Sequence, residues 1–254
     1  PAPGERIEGP KLGTQLVDAA RAAGVTLELG EVIEAESYSS TRSVTTADGK
    51  AYTASALIVV SGLRNKVLGI PGEEAFQGKG VIHCAFCDAG LYRGQNVVVC
   101  GGGDAGFTEA LLLARYAQRV VLLEQAAAPS ASPALQAAAR EVANLEIRTG
   151  QTLAAVKGHL AVTSVDVRDV AGGSTTPLAV TGVLVQCGFE PATEAVAAVV
   201  DLDDANALVA DDRGNTPARG LLAAGDVRAG ASRRVAAAIA DGRRTAETAL
   251  QLLA

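Results

Sequence analysis

Residues 96–124 read NVVVCGGGDAGFTEALLLARYAQRVVLLE. Asn96–Cys100 is a short run rich in valine, which suits a strand buried on both faces. Residues 107–117 carry apolar side chains at helical spacing, and Arg119–Glu124 repeats the strand pattern. Between the first strand and the helix, residues 101–106 (GGGDAG) fit G-x-G-x-x-G. Alone, that pattern is weak and describes any glycine-rich turn. Here a strand precedes it, a helix follows, and Glu124 ends the next strand 23 residues after Gly101. Together these define a dinucleotide-binding unit. Gly101 makes the tight turn, Gly103 lets a pyrophosphate approach the backbone, and Gly106 lets helix meet strand. The helix N-terminus offers free N–H groups and a positive dipole end, so Asp104 and Ala105 join the glycines as candidate nucleotide contacts. Glu124 would accept hydrogen bonds from ribose hydroxyls and repel a 2′-phosphate. No arginine follows it until Arg140, so NADH is expected over NADPH.

The flanking sequence continues the alternation. A helix is expected over 11–23, stopped by Gly24, then strands over 25–29, 43–46 and 51–53, with Asp48-Gly49 as a hairpin turn. A buried strand over 56–60 ends at Ser61-Gly62. After Glu124 come a helix over 132–142 and strands over 145–147, 153–156, 160–168 and 178–185. The final third holds a strand over 220–224, a Gly225-Asp226 turn and a long helix over 233–253. Strands alternating with helices give an α/β fold with parallel sheets.

Composition sets limits. The chain has 254 residues, enough for one large or two modest domains. A net charge of −6 argues against nucleic-acid binding. No apolar run approaches the roughly 18 residues of a membrane span, and no signal peptide is recognisable, so the cytoplasm is expected. Four cysteines are too few for a secreted disulfide scaffold. No methionine occurs, even at position 1, and the chain opens on Pro1-Ala-Pro-Gly4. A processed or truncated start is expected.

Two of the cysteines lie together. Residues 81–90 read VIHCAFCDAG, placing Cys84 and Cys87 three positions apart with Asp88 directly behind. A zinc site needs two further ligands; Cys100 and Cys187 lie in runs that read as buried strands, and His159 sits in a separate loop. No metal is expected, and Cys100 and Cys187 are expected to be apolar core residues. A structural crosslink across so short a loop gains little stability. A working dithiol remains, whose thiolate attacks in exchange. Asp88 is also a candidate helix cap, and His83 is taken as a bystander.

Residues 84–124, CAFCDAGLYRGQNVVVCGGGDAGFTEALLLARYAQRVVLLE, resemble the central segment of bacterial thioredoxin reductases, in which C-A-x-C-D precedes the nicotinamide-nucleotide glycine turn by the same interval. Residues 69–81 (GIPGEEAFQGKGV), 188–193 (GFEPAT) and 220–230 (GLLAAGDVRAG) resemble the same family in the same order. The resemblance implies an FAD-dependent pyridine nucleotide-disulfide oxidoreductase of class II, with two Rossmann-like nucleotide-binding domains. The FAD domain is then discontinuous, residues 1–64 and 192–254, and the nicotinamide domain with the CxxC is inserted as residues 65–191. Crossovers would lie near Gly62 and Pro191. By resemblance, Cys87 meets the flavin, Cys84 attacks the substrate disulfide, and Asp88 handles the departing proton. Gly225-Asp226 holds the ribityl chain of FAD, and Ser61, Gly62, Gly188, Arg233, Arg234 and Val235 fall at cofactor-contacting positions.

The sequence departs from the family in three places. The arginines that grip the 2′-phosphate are absent, and Glu124 instead resembles the NADH-using flavoprotein subunit of alkyl hydroperoxide reductase. Ser232-Arg233-Arg234 stands where the family has aromatic-Arg-Gln beside the flavin. About fifty family residues that carry the first glycine turn, for the ADP half of FAD, have no counterpart. The expected activity passes electrons from NADH through FAD to Cys84–Cys87 and on to a thioredoxin-like protein or small disulfide, in a homodimer. Two alternatives use the same parts: a dithiol oxidase that forms disulfides with oxygen as acceptor, and a flavin-less nucleotide-binding or regulatory relative.

Overall fold

The computed structural model describes residues 7–253, so the Pro1-Ala-Pro-Gly4 opening lies outside the described residues. Helix α1 (Gly9–Ala22) leads into β1 (Val32–Ser37), β2 (Arg42–Thr46), β3 (Ala51–Ala54), β4 (Leu57–Val59) and β5 (Leu63–Asn65). Next come β6 (Val81–Ile82), the one-turn helix α2 (Ala85–Asp88), β7 (Asn96–Cys100), α3 (Asp104–Leu113), β8 (Arg119–Glu124), α4 (Pro133–Arg140) and β9 (Leu145–Thr149). Then β10 (Gln151–Gly158), β11 (Val162–Asp169), β12 (Thr175–Ala179), β13 (Gly182–Val185), β14 (Phe189–Pro191), β15 (Leu221–Ala223) and α5 (Val235–Leu253) follow.

Five parallel strands, in the order β6-β13-β7-β8-β9, form the centre. Strand side chains alternate between faces, and both faces are covered. Val97, Val99, Val120, Leu122 and Leu184 pack with Phe107, Ala110 and Leu113 of α3 and with Ala139 of α4. Val98, Cys100, Val121, Leu123, Val183 and Val185 pack on the other side against Leu153, Val156, Val162, Val165 and Val167 of the antiparallel sheet β10-β11-β12. This is why residues 97–100 contain no polar residue: every position is interior. Phe107, Leu122 and Leu123 are fully buried, each worth about 1.5–3 kcal/mol of transfer free energy.

A smaller assembly surrounds the parallel pair β4–β15. Its core joins Ala35, Val59, Leu208, Ala223 and Val227. The antiparallel pair β5–β14 joins the segments that follow β4 and β13, with Ser61 Oγ donating to Ala192 O at 2.5 Å and Ala192 N donating to Gly62 O at 3.0 Å. Arg64 on β5 bridges Glu190 and Glu194 at 2.8 and 2.6 Å.

The structure corrects several expected elements. Residues 25–29 form no strand; Leu29 is fully exposed, and β2 pairs instead with β1, whose Ala35 is buried. Residues 178–185 divide between two sheets, Leu178 pairing in the antiparallel meander and Gly182–Val185 entering the parallel one. A continuous apolar run hides such a change of sheet, since both destinations are buried. Gly182 makes it possible: a Cβ there would lie 2.4 Å from the Tyr92 ring. Helix α3 starts at Asp104 and ends at Leu113, earlier at both ends than its spacing implies. Helix α1 is amphipathic as its pattern predicts, yet none of its residues is buried.

Candidate functional site: a glycine-turn cavity and a dithiol

The glycine turn follows β7 directly. Gly101 has φ +124°, and a Cβ on it would lie 2.0 Å from Gln186 O. A Cβ on Gly106 would lie 1.9 Å from Gly101 O. Both positions therefore require glycine. At Gly103 the nearest atom to such a Cβ is Ser130 Oγ at 3.6 Å, so the backbone is approachable there. Helix α3 begins immediately after, leaving the N–H groups of its first turn without intrahelical partners.

Glu124, at the end of β8, folds over this turn. Its two carboxylate oxygens accept from Gly102 N and Ala126 N, both at 2.7 Å. Gly102 was not singled out in the sequence, yet a Cβ on it would lie 2.3 Å from Glu124 Oε2. Asp104 accepts from Ser132 N at 2.6 Å, fixing the start of α4 beside the turn. A cavity of about 380 Å³ opens here, lined by residues of the turn and its surroundings (Gly101, Gly103, Asp104, Ala105, Glu124 and Ser130) together with Cys100, Cys187, Gly188 and Phe189. Its described lining holds two carboxylates and no lysine or arginine. A pyridine dinucleotide fits the turn on the evidence of the glycine contacts.

The dithiol is built on the same scaffold. Cys84 is the N-cap of α2, with Cys87 N donating to Cys84 Sγ at 3.3 Å. Ala85 N donates to Glu109 Oε2 of α3 at 2.7 Å. Gln186 Nε2, just past β13, donates to Glu109 Oε1 at 3.1 Å and to His83 O at 2.9 Å. Glu109 and Gln186 thus dock the CxxC turn on the nucleotide-binding unit. Sequence reading missed both; the only signal for Glu109 was a carboxylate between Phe107 and the apolar run 110–113. His83 Nε2 pairs with Gln77 Oε1 at 3.1 Å, while its Nδ1 is buried without a partner among the described residues.

Both thiols are free; Cys87 is exposed, and Cys84 and Asp88 are half-buried. The Cys87 thiol is held above its ordinary pKa, first by its hydrogen bond to the Cys84 sulfur, then by desolvation and by the negative charge of Cys84, Asp88 and Glu109. Removing the first cause with Cys84→Ala should move the pH midpoint of Cys87 alkylation downward. Rates of iodoacetamide labelling across pH, read by peptide mass, check this; an unmoved midpoint contradicts it.

The residues expected on the flavin side form a third group. Ser61 and Gly62 follow β4, and Gly225 and Asp226 follow β15, so they share the C-terminal edge of one parallel pair. That edge is where doubly wound sheets bind ligands. Gly225 has φ +76°, and its N–H donates to Asp241 Oδ2 at 2.8 Å. Asp241, buried, is itself held by Arg228 Nη1 at 2.9 Å and Arg244 Nη2 at 2.7 Å. Arg233, Arg234 and Val235 lie at the start of α5 with exposed side chains, and Arg233 has φ +54°. Gly188, with φ +101°, joins the nucleotide cavity instead of this group. These residues fit FAD at one end only. Among the described residues a single strand–glycine turn–helix unit exists, and it belongs to the five-stranded sheet.

Cys187 departs from expectation. It lies past the end of β13 and is half-buried, and its sulfur is 3.3 Å from that of buried Cys100. Among the described residues no group of three or more His, Cys, Asp or Glu side chains is placed to hold a metal. No described helix is long and apolar enough to cross a membrane.

The family described as pyridine nucleotide-disulphide oxidoreductase matches residues 4–242. A bifunctional thioredoxin reductase/thioredoxin from Mycobacterium leprae is 37% identical over 222 residues, which cover 87% of this chain and 48% of that protein. The chain therefore spans about half the length of that relative. A thioredoxin reductase from Treponema pallidum is 35% identical over 243 residues, covering 96% of this chain and 78% of that protein. Among solved structures, Lactococcus lactis thioredoxin reductase superposes with a TM-score of 0.88 at 29% identity, over 98% of this chain and 83% of that one. With the glycine turn, the dithiol and the parallel sheets in place, the chain belongs to the pyridine nucleotide-disulphide oxidoreductase family and is an oxidoreductase of the bacterial thioredoxin-reductase type.

Proposed function

We propose that this chain serves electron transfer from NADH, by way of FAD, to the Cys84–Cys87 pair and on to a disulfide in a thioredoxin-like protein or small molecule. The observation that carries this is the docking of the CxxC turn through Glu109 and Gln186, on the helix and strand that flank the nucleotide cavity. These bonds support placing dithiol and nucleotide site in one unit, proposed as residues 65–191, set between FAD-side segments 1–64 and 192–254. Bound FAD supplies the link between hydride chemistry and thiol chemistry; Ser61, Gly62, Gly225 and Asp226 would hold its ribityl end. The narrow β5–β14 pair, with positive-φ Gly62 at its edge, supports rotation of the inserted unit about the crossovers.

Within the dithiol, Cys84 attacks the acceptor disulfide and Cys87 resolves the mixed disulfide, with Asp88 receiving and returning the proton. The acceptor leaves as two thiols and the pair as a disulfide. Phe86 and Leu91 are strongly exposed beside the pair, which supports a protein acceptor that covers apolar surface.

The cofactor preference follows from the cavity. A 2′-phosphate placed by the ribose would meet Glu124 with no cation in the described lining. A like-charge pair at 4 Å costs about 1–4 kcal/mol between the dielectric of water and that of a protein surface. NADH should therefore bind at least about fivefold more tightly than NADPH. Glu124→Arg should narrow or invert that ratio. Titration of the chain with each nucleotide, followed by nicotinamide fluorescence, measures it directly. Tighter wild-type binding of NADPH overturns the assignment.

A further inference from the structure

We propose that Cys100 and Cys187 are a second oxidisable thiol pair, which closes to a disulfide in the wall of the nucleotide cavity and is shielded when nucleotide is bound. The shielding rests on that cavity being the NADH site; the pairing does not.

The two residues are 87 positions apart and meet because β13 lies parallel beside β7, in a register that pairs Val185 with Cys100. Gln186 N then donates to Cys100 O at 2.8 Å, and the next residue is Cys187. Its sulfur lies 3.3 Å from the Cys100 sulfur and 3.4 Å from Cys100 O. A disulfide bond is about 2.05 Å long, so the sulfurs need to close by little more than an ångström. Both residues line the cavity, so a small oxidant entering there reaches them. The Cys187 thiol, donating to the Cys100 sulfur, lowers the pKa of Cys100 against the opposing effect of burial. Cys100 is then the attacking sulfur.

With a hydroperoxide as oxidant the step balances. Cys100 thiolate attacks one peroxide oxygen, the O–O bond breaks, and the departing oxygen takes a proton to leave as water or an alcohol. The resulting sulfenic acid is attacked by Cys187, which loses its proton as the sulfur–oxygen bond breaks and water departs. Two thiols are oxidised and one peroxide is reduced. The Cys187 backbone also packs on the glycine turn, since a Cβ at Gly101 would lie 3.3 Å from Cys187 N. Cys187 therefore sits directly against the turn that a bound nucleotide would occupy.

Tryptic mapping separates the two pairs cleanly. Cys84 and Cys87 share the peptide 80–93, whereas Cys100 lies in 94–115 and Cys187 in 169–213. Treating the full chain with hydrogen peroxide should yield a linked 94–115/169–213 species and the loss of both thiols together. NAD⁺ at about ten times its Kd should slow that linkage roughly tenfold by occupying the cavity. Two unlinked thiols after oxidation of folded protein, with circular dichroism unchanged, overturn the pairing. Linkage at an unaltered rate with NAD⁺ bound supports the pairing and overturns the shielding. Failure of NAD⁺ to bind at all, read by the same titration, counts against the cavity assignment alone.

Discussion

Residues 1–254 purified alone should be nearly colourless, and joining about fifty upstream residues that carry a second strand–glycine turn–helix should restore tight FAD binding. The flavin-side segments offer Gly225 and Asp226 at the end of β15, beside Ser61 and Gly62 after β4. Those positions are the ones proposed to hold the ribityl end of the cofactor. A pyrophosphate needs more: backbone N–H groups and a helix dipole aimed at it. The described residues supply one such cradle, and it sits on the other sheet. Each charge-assisted hydrogen bond lost is worth roughly 1.5–3 kcal/mol. Three of them would weaken binding by about three to six orders of magnitude. The parallel pair β4–β15 is also narrow, and α1 leaves its apolar stripe uncovered, so burial of the isoalloxazine ring would be incomplete too. The visible spectrum of the purified chain, with flavin released by denaturation as the count, measures this. Stoichiometric FAD on the chain as it stands would place the pyrophosphate on some other segment and sink the prediction.

What could be read in advance follows from how local each feature is. The strand 96–100, the glycine turn and the next strand were legible because each residue answers to its neighbours: valines to two covered faces, glycines to backbone approach. Gly101, Gly103, Asp104, Ala105, Glu124 and Gly188 all line one cavity beside that turn. The Asp48-Gly49 turn was legible for the same reason, with Gly49 at φ +82°. Residues 178–185 were misread because periodicity reports burial and says nothing of which sheet does the burying. Glu109, Gln186 and the Cys100–Cys187 contact left almost no trace in the sequence. Their partners lie 24, 77 and 87 positions away and meet only through the order of strands in the parallel sheet. The roles of the CxxC sulfurs came from resemblance, and geometry alone divides on them: Cys87 is the more exposed, whereas Cys84 accepts the backbone hydrogen bond.

That division has an experimental answer. In the flavin-loaded protein, Cys84→Ser should abolish disulfide turnover while leaving reduction of the flavin by NADH intact, since the hydride step precedes any sulfur chemistry. The attacking species in exchange is a thiolate, so the raised pKa of Cys87 counts against it as the attacking sulfur although it is the more open to solvent. Cys84 caps α2 and accepts from Cys87 N at 3.3 Å. The Cys87 thiol is held above its ordinary pKa by that same neighbour, by desolvation and by the charges of Asp88 and Glu109. Serine in place of Cys84 keeps the cap but has no accessible anion, and loss of a nucleophile lowers turnover by at least about a thousandfold. The reciprocal variant separates the roles. Cys87→Ser should trap a mixed disulfide between Cys84 and a thioredoxin-like acceptor, because nothing remains to resolve it. Cys84→Ser should trap little or none through Cys87. Mass spectrometry of peptide 80–93 with its adduct reads both cases. If Cys84→Ser keeps full disulfide turnover, or if Cys87 is the sulfur that captures the acceptor, then exposure governs the exchange and the two roles are reversed.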